Sequence, residues 1–386
     1  MVDGPNGLAS RSAAAANVAA EQLVTRQRRK RVTLADVAAK AGVSVATASV
    51  AITGRPSGNC RVSAEVAEKI RAAARELNYR PNIQARSLST QRSHTVAMLI
   101  KRASWHNAIF YVSAMQRTLR AHGYTDTFIL HPDNALETER EHIELCVQRR
   151  VEGIILIPVI DVHRQSNVEL INQVHRDEEI PIVQLGVALP GCAAPSVIGD
   201  DVEGLRGAVR LLHAMGHRRI AHVTIPGYDD PDPLNPYKQA HLRCLGYRRG
   251  MAELGLEEQI VCTPGDFSNI QRLFDAAQPF ARMIAESDPR PTAVIAFADY
   301  AAAGLIAGFK EIALDVPEHI SVLGVGDQPF GRMLCPALST LAPAFDRLGE
   351  LATQTLIKMI DGVPGQSAAI PPSLLMRNSV RAINEN

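Results

Sequence analysis

Hydroxyl, amide and guanidinium groups crowd the amino-terminal quarter of this 386-residue chain, in a pattern suited to phosphates and base edges rather than to bond-making. The run Arg26, Arg28, Arg29, Lys30, Arg31 directly precedes the first candidate helix. Such a run serves either as a solvated charged face or as a phosphate contact, and its place before a helix favours the phosphate. Thr33, Ser44, Thr47 and Ser49 supply hydroxyls, and the loop GRPSGNC-Arg61 can carry Arg55, Asn59 and Arg61 to the same ligand or simply lie in solvent. Fifteen Lys or Arg face six Asp or Glu over residues 1–92, a local charge of +9, while the remaining 26 basic and 34 acidic residues give −8. The overall +1 therefore hides a basic head on an acidic body. Catalytic signatures are missing: there is no G-x-S-x-G elbow, phosphate-binding P-loop or H-E-x-x-H helix. The twelve histidines, among them His163, His175, His213, His217 and His222, are dispersed. Cysteines 60, 146, 192, 244, 262 and 335 form no C-x-x-C pair, which argues against zinc and disulfides and for buried thiols in a reducing compartment. No metal or cofactor is expected.

Three helices position the head's polar groups. Thr33 and Asp36 have the spacing of a reciprocal cap, and Leu34, Val37, Ala38 and Ala41 then repeat at helical spacing. Gly42 supplies the backbone freedom of a tight corner, Val43 plugs it, and Ser44 caps a second helix over Val45 to Ile52. A third helix opens at Ser63, buries Val66, Ile70, Ala73 and Leu77, and ends at Tyr79-Arg80-Pro81 because proline disfavours helix before it. The pattern is a helix-turn-helix with a supporting helix, and the second helix is short enough to lie in a major groove about 12 Å wide.

From Thr95 the periodicity changes. The runs TVAMLI, TDTFIL, GIILIP, PIVQLG, PSVIGD, RIAHVTI, TAVIAF and ISVLGVG alternate with amphipathic stretches 112–120, 137–150, 168–177, 204–215, 239–254 and 300–311. Continuous apolar strands followed by helices mean parallel sheets covered on both faces, an α/β body. No run approaches the eighteen or so apolar residues of a membrane span, and residues 1–25 lack the compact apolar segment of a secretory signal, so a cytoplasmic protein is expected.

TLADVAAKAGVS (33–44) followed by ELNYRPNIQARSL (76–88) resembles the DNA-binding head and hinge of the lac repressor/galactose repressor family, LacI/GalR. The body carries further likenesses at GHRRIAHV (216–223), LGYRRGMAELGL (245–256), VPEHISVLGVGD (316–327), PALSTL (336–341) and LLMRNSVRAI near the end. The resemblance implies a multidomain regulator: a flexible basic tail over 1–31, a helix-turn-helix domain over 32–80, a hinge over 81–92, and a two-lobed periplasmic-binding-protein-like domain over 93–386. Chain crossovers between the lobes are expected near Gly199, Leu341 and Ile370.

Carried over residue by residue, the base-facing positions of the recognition helix fall on Val45, Ala46 and Val50. Apolar groups there can meet a thymine methyl but cannot make bidentate base contacts, and Thr47 and Ser49 suit phosphate better than base. In the hinge, Asn82 to Leu88 would become helical in the minor groove, with Leu88 as the wedge between base pairs and Ala85 at the close contact beside it. For the cleft the resemblance implies Trp105, Asn107, Ala108 and Tyr111 after the first strand, and Arg243 at the effector-binding arginine position. An arginine fork suits a carboxylate, a phosphate or vicinal hydroxyls. Trp105, the only tryptophan, suits either stacking on a sugar face or burial between lobes. Gly186 stands where lac-type pockets place an aspartate, and Ala298-Asp299 and Gly326-Asp327 depart from the polar pairs of relatives. Asp299 and Asp327 either contact the effector or cap and pair within the fold.

Three functions compete: a transcription regulator, a solute-binding protein sharing the body, and an enzyme on an α/β sheet. The basic head favours the regulator over the solute-binding protein, and the absent catalytic set disfavours the enzyme. Expected partners are double-stranded DNA with a near-palindromic operator, a small-molecule effector such as a sugar or other metabolite, and a second copy of the chain.

Overall fold

The computed structural model describes residues 32–53, 62–80, 92–101, 105–264 and 270–383, with only the backbone at 53, 105–108 and 270. Contacts divide the chain into two units, 1–91 and 92–386.

In the first unit, α1 spans Leu34–Ala41, α2 Val45–Thr53 and α3 Ala64–Glu76. Thr33 and Asp36 close the reciprocal cap: Asp36 N donates to Thr33 Oγ1 at 3.3 Å and Thr33 N to Asp36 Oδ2 at 2.8 Å. Gly42 ends α1 at φ 68°, a conformation that costs glycine little, and its N–H returns to Ala38 and Ala39 carbonyls. The chain then turns so that α1 and α2 meet at 103°, within the range of helix-turn-helix pairs. The core is built largely of alanine, with Val37, Ala38, Ala41, Ala48, Ala51, Ala67, Ile70 and Ala73 buried. Small side chains let three short helices approach closely.

The second unit has two lobes, each around a six-stranded sheet. The first lobe holds β1 (Thr95–Ile100), α4 (Trp105–Ala121), β2 (Asp126–Leu130), α5 (Leu136–Gln148), β3 (Gly153–Ile157), α6 (Val168–Arg176), β4 (Ile182–Leu185) and β5 (Ser196–Gly199). The chain crosses at 199–201 into α7 (Asp201–Ala214), β6 (Ile220–Thr224), α8 (Lys238–Glu253), β7 (Gln259–Cys262), α9 (Ile270–Ala277), α10 (Phe280–Glu286), β8 (Ala293–Ala296), α11 (Asp299–Glu311), β9 (Ser321–Val325) and β10 (Ser339–Ala342). It returns through α12 (Phe345–Ile360) and β11 (Ala368–Ile370), then crosses again to β12 (Ser373–Leu375). The sheet orders are β11-β5-β4-β3-β1-β2 and β12-β10-β9-β8-β6-β7. Every pairing is parallel except β10 with β12. All six residues of β1 are buried, as a strand covered on both faces requires. Helices α4 and α12 seal one face through Met115, Leu119, Leu348 and Leu356, and α5 and α6 the other through Ile143, Ile171 and Val174. Among the described residues no single helix is long and apolar enough to cross a membrane.

Candidate DNA-reading face and effector cleft

The start of α2 presents the head's outward surface. Val45 is 49% exposed, Ala46 is exposed, and Thr47 and Ser49 are half-buried. Ser44 caps the helix by accepting from Thr47 N at 3.1 Å, and its hydroxyl also bonds that of Thr47 at 2.8 Å. Thr33 and Ser44 are thus first of all capping residues, and their hydroxyls meet a phosphate only by sharing. Val50 departs from expectation: it is buried at 9% exposure and has little surface to offer a groove. The sequence VATASVAIT carries no charge and scatters its three hydroxyls around the helix, so its period could not tell the buried face from the outward one. Some basic residues of the head are held internally, Lys40 by Glu76, and Arg71 and Arg75 by Glu68. Arg55, Asn59, Arg61, Asn82, Ala85 and Leu88 lie outside the described residues, as do the side chains of Trp105, Asn107 and Ala108.

In the body, carboxyl ends of strands from the two lobes converge. Tyr111 on α4 is buried against Phe345, ring centroids 5.0 Å apart. Burial, then the nearby Asp201 charge, pushes its hydroxyl pKa well above the usual tyrosine value. Gly186, just after β4, adopts φ 73°, and a Cβ there would come 3.8 Å from Tyr111 Oη. On the second lobe Arg243 reaches in from α8. Its Nε donates to Asp201 Oδ1 at 3.0 Å and its Nη1 to the Phe297 carbonyl at 2.6 Å. Its guanidinium also lies 4.7 Å above the Phe297 ring. The Arg243 and Asp201 side chains are only 12% and 15% exposed. Part of the fork is therefore committed within the protein, while Nη2 has no protein partner among the described residues.

Asp299 and Asp327 both make contacts within the fold, the second of the two roles their positions left open. Asp299, 1% exposed at the start of α11, accepts from Thr340 Oγ1 at 2.6 Å and Gln328 N at 2.7 Å. Burial raises its pKa, opposed by these two donors. Its carboxylate fills the space beside Gly324, where an added Cβ would meet Oδ1 at 2.2 Å, so Asp299 pins α11 to the strands leading to the 341–345 crossover. Asp327 is held by Arg377, with Arg332 at 3.5 Å. Sequence reasoning missed three features here. Asp201 is hidden because its partner is 42 positions away. Phe297 offers a carbonyl and a ring that no pattern announces. Lys101 did leave a signal, a charge ending the apolar run TVAMLI; desolvation lowers its pKa to about 8 against the opposing charge of buried Glu139. Among the described residues no cluster could hold a metal ion.

The profile described as "Bacterial regulatory proteins, lacI family" matches residues 33–82, and that described as "Periplasmic binding protein-like domain" matches residues 209–380. The HTH-type transcriptional repressor PurR of Vibrio campbellii is 30% identical over 359 residues, covering 91% of this chain and 99% of that protein. The chain belongs to the LacI family. Its head and two-lobed body are those of a LacI-family DNA-binding transcriptional regulator with an effector-binding domain. The ribose operon repressor of Escherichia coli is 29% identical, over 90% of this chain and 99% of that one. Among solved structures, the lac repressor dimer bound to operator and the anti-inducer ONPF matches with a TM-score of 0.75 at 25% identity, over 92% of this chain and all of that one. These LacI-family relatives are named as repressors, and the multidomain fold read from the sequence agrees with theirs.

Proposed function

We propose that the chain is a homodimeric repressor whose grip on a near-palindromic operator is set by a small metabolite in the cleft between its lobes. The observation that carries the reading is the union, in one chain, of a capped helix-turn-helix pair at 103° with an exposed α2 start, and a two-lobed body with a partly committed arginine at its cleft. Two protomers would place their α2 helices in successive major grooves, with residues 82–88 of both hinges meeting at the operator centre and Leu88 wedging there. Val45 and Ala46 suit thymine methyls, and Arg55, Asn59 and Arg61 would supply the polar contacts that α2 lacks. A dimer is favoured by apolar residues exposed on the first lobe, Ile109 at 68%, Phe128 at 41% and Ile129 at 40%. For the effector, Arg243 Nη2 favours an acceptor group. Glycines at 186 and 326, by contrast, remove side-chain partners for sugar hydroxyls. Operator binding would take place in the cytoplasm.

The test is Leu88→Ala, assayed on operator and on random duplex separately. The wedge predicts a selective loss on operator, since a kinked centre stabilises only the specific complex. Equal loss on both duplexes, or loss on neither, contradicts it.

A further inference from the structure

The loop between β3 and α6 belongs to the first lobe and the loop between β6 and α8 to the second, yet they meet. Arg164 Nη2 donates to Asp230 Oδ2 at 2.6 Å and Nη1 to Asp230 Oδ1 at 3.3 Å, while Nη1 also pairs with Asp232. Both sides are set in advance by their own loops. Arg164 sits at φ 62°, in a turn where Asp161 Oδ1 accepts from His163 N at 2.9 Å and Gln165 N at 2.8 Å. Asp230 and Asp232 accept from the backbone of Asp232 and Leu234 at 3.1 and 2.8 Å, and buried Asn235 donates to the Gly227 and Asp230 carbonyls. Leu234, from this second-lobe loop, packs against the apolar cluster of the first lobe.

Topology gives the contact leverage. All three crossovers join the lobes at β5, β10, β11 and β12, the first two positions of each sheet order. The Arg164 and Asp230 loops follow β3 and β6, the fourth and fifth positions. At about 4.8 Å per strand the clasp lies roughly 10–14 Å from the hinge edge, where a small contact resists opening well.

We propose that Arg164, Asp230 and Asp232 form an electrostatic latch that holds the two lobes closed over the cleft without any ligand. Two carboxylates on one guanidinium, all partly exposed, make the latch sensitive to ionic strength. An effector entering the cleft has to pass or release it, a consequence that rests on the regulator reading; the latch itself does not.

Hydrogen–deuterium exchange on the full chain, without DNA or effector, tests it in salt of about 10 mM and about 500 mM, where the screening length falls from roughly 30 Å to a few ångströms. In low salt, Arg164→Gln is expected to speed exchange in both segments 158–167 and 227–237 by about two- to fivefold, the scale of an exposed ion pair. Asp230→Asn with Asp232→Asn should do the same. The unsubstituted chain should approach the variants in high salt, while the variants stay indifferent to it. Faster exchange confined to the substituted loop, no change, or an equal salt response in all chains overturns the latch. Should a variant loosen β1 or β8 as well, the salt response of the unsubstituted chain decides alone: protection lost with salt supports the latch, and protection kept refutes it. Failure here would leave the regulator reading standing.

Discussion

Replacing Arg243 with alanine should damage the fold as well as the response to effector, and the two effects separate. The substitution leaves Asp201, 15% exposed, as a nearly buried unpaired carboxylate, and removes the Arg243 donor from the Phe297 carbonyl. Orphaning one member of a buried ion pair costs about 3–5 kcal/mol, and the residual exposure of both side chains here places the loss near the lower end, at about 3 kcal/mol. For a body of roughly 300 residues, unfolding entropy of about 2 cal/mol/K per residue converts that loss into a Tm fall of about 5 °C. Calorimetry on Arg243→Ala, Asp201→Ala and the double variant provides the assay. If the orphaned charge does the damage, the double variant melts above Arg243→Ala, because the carboxylate has gone with its partner. At 25 °C all three remain folded, and Arg243→Ala should hold operator yet lose its response to effector. Additive losses in the double variant, or a Tm unchanged by Arg243→Ala, would refute the reasoning.

Two further outcomes concern the same lobe. Gly324→Ala drives a methyl against the Asp299 carboxylate, whose two oxygens are already bonded, and should cost about 1–3 kcal/mol, read as a lowered denaturation midpoint; a stable variant would show that Asp299 does not pin the strands. His222 is fully buried with Nδ1 donating to the Ile295 carbonyl at 2.9 Å, and burial lowers its pKa to about 4. Below about pH 6.5 the unfolded chain binds a proton that the folded one refuses, so this group's contribution is intact above that pH and stability falls toward pH 4, by about 3 kcal/mol at most. Asp299 and Glu139, whose pKa values burial raises, act in the opposite sense, so the comparison is with His222→Met: its acid limb should be flatter, and an identical limb would contradict the assignment.

The head was legible because its signals are local. Thr33 with Asp36, Gly42, Ser44 and Ser63 each perform the cap or corner that their type and spacing suggest. Val50 was not legible, since α2 has no sharply apolar face and only docking against α1 and α3 selects its buried side. In the body, fully buried runs such as TVAMLI and GIILI announce parallel strands, whereas β11 and β12 have three residues each and no pattern. Helices α9, α10 and α12 were not among the expected elements; Pro279 interrupts the first two, and α12 joins the first lobe although the strand before it, β10, belongs to the second. At the cleft, residue types marked Arg243 and Tyr111 but could not show that Asp201 and Phe297 already engage the arginine. Nor could they distinguish Asp299 as a buried pin, a role defined by Gly324 and Thr340 on neighbouring strands. The latch joins residues 66 and 68 positions apart, beyond the reach of any periodicity.

Selection of bound fragments from random duplex DNA, using the purified full chain at modest ionic strength, bears most directly on the central claim. The account predicts enrichment of a centre-symmetric site with a readily kinked pyrimidine–purine step at its middle, and binding that weakens steeply with added salt. A folded dimer that enriches no sequence, with or without metabolites, would contradict it.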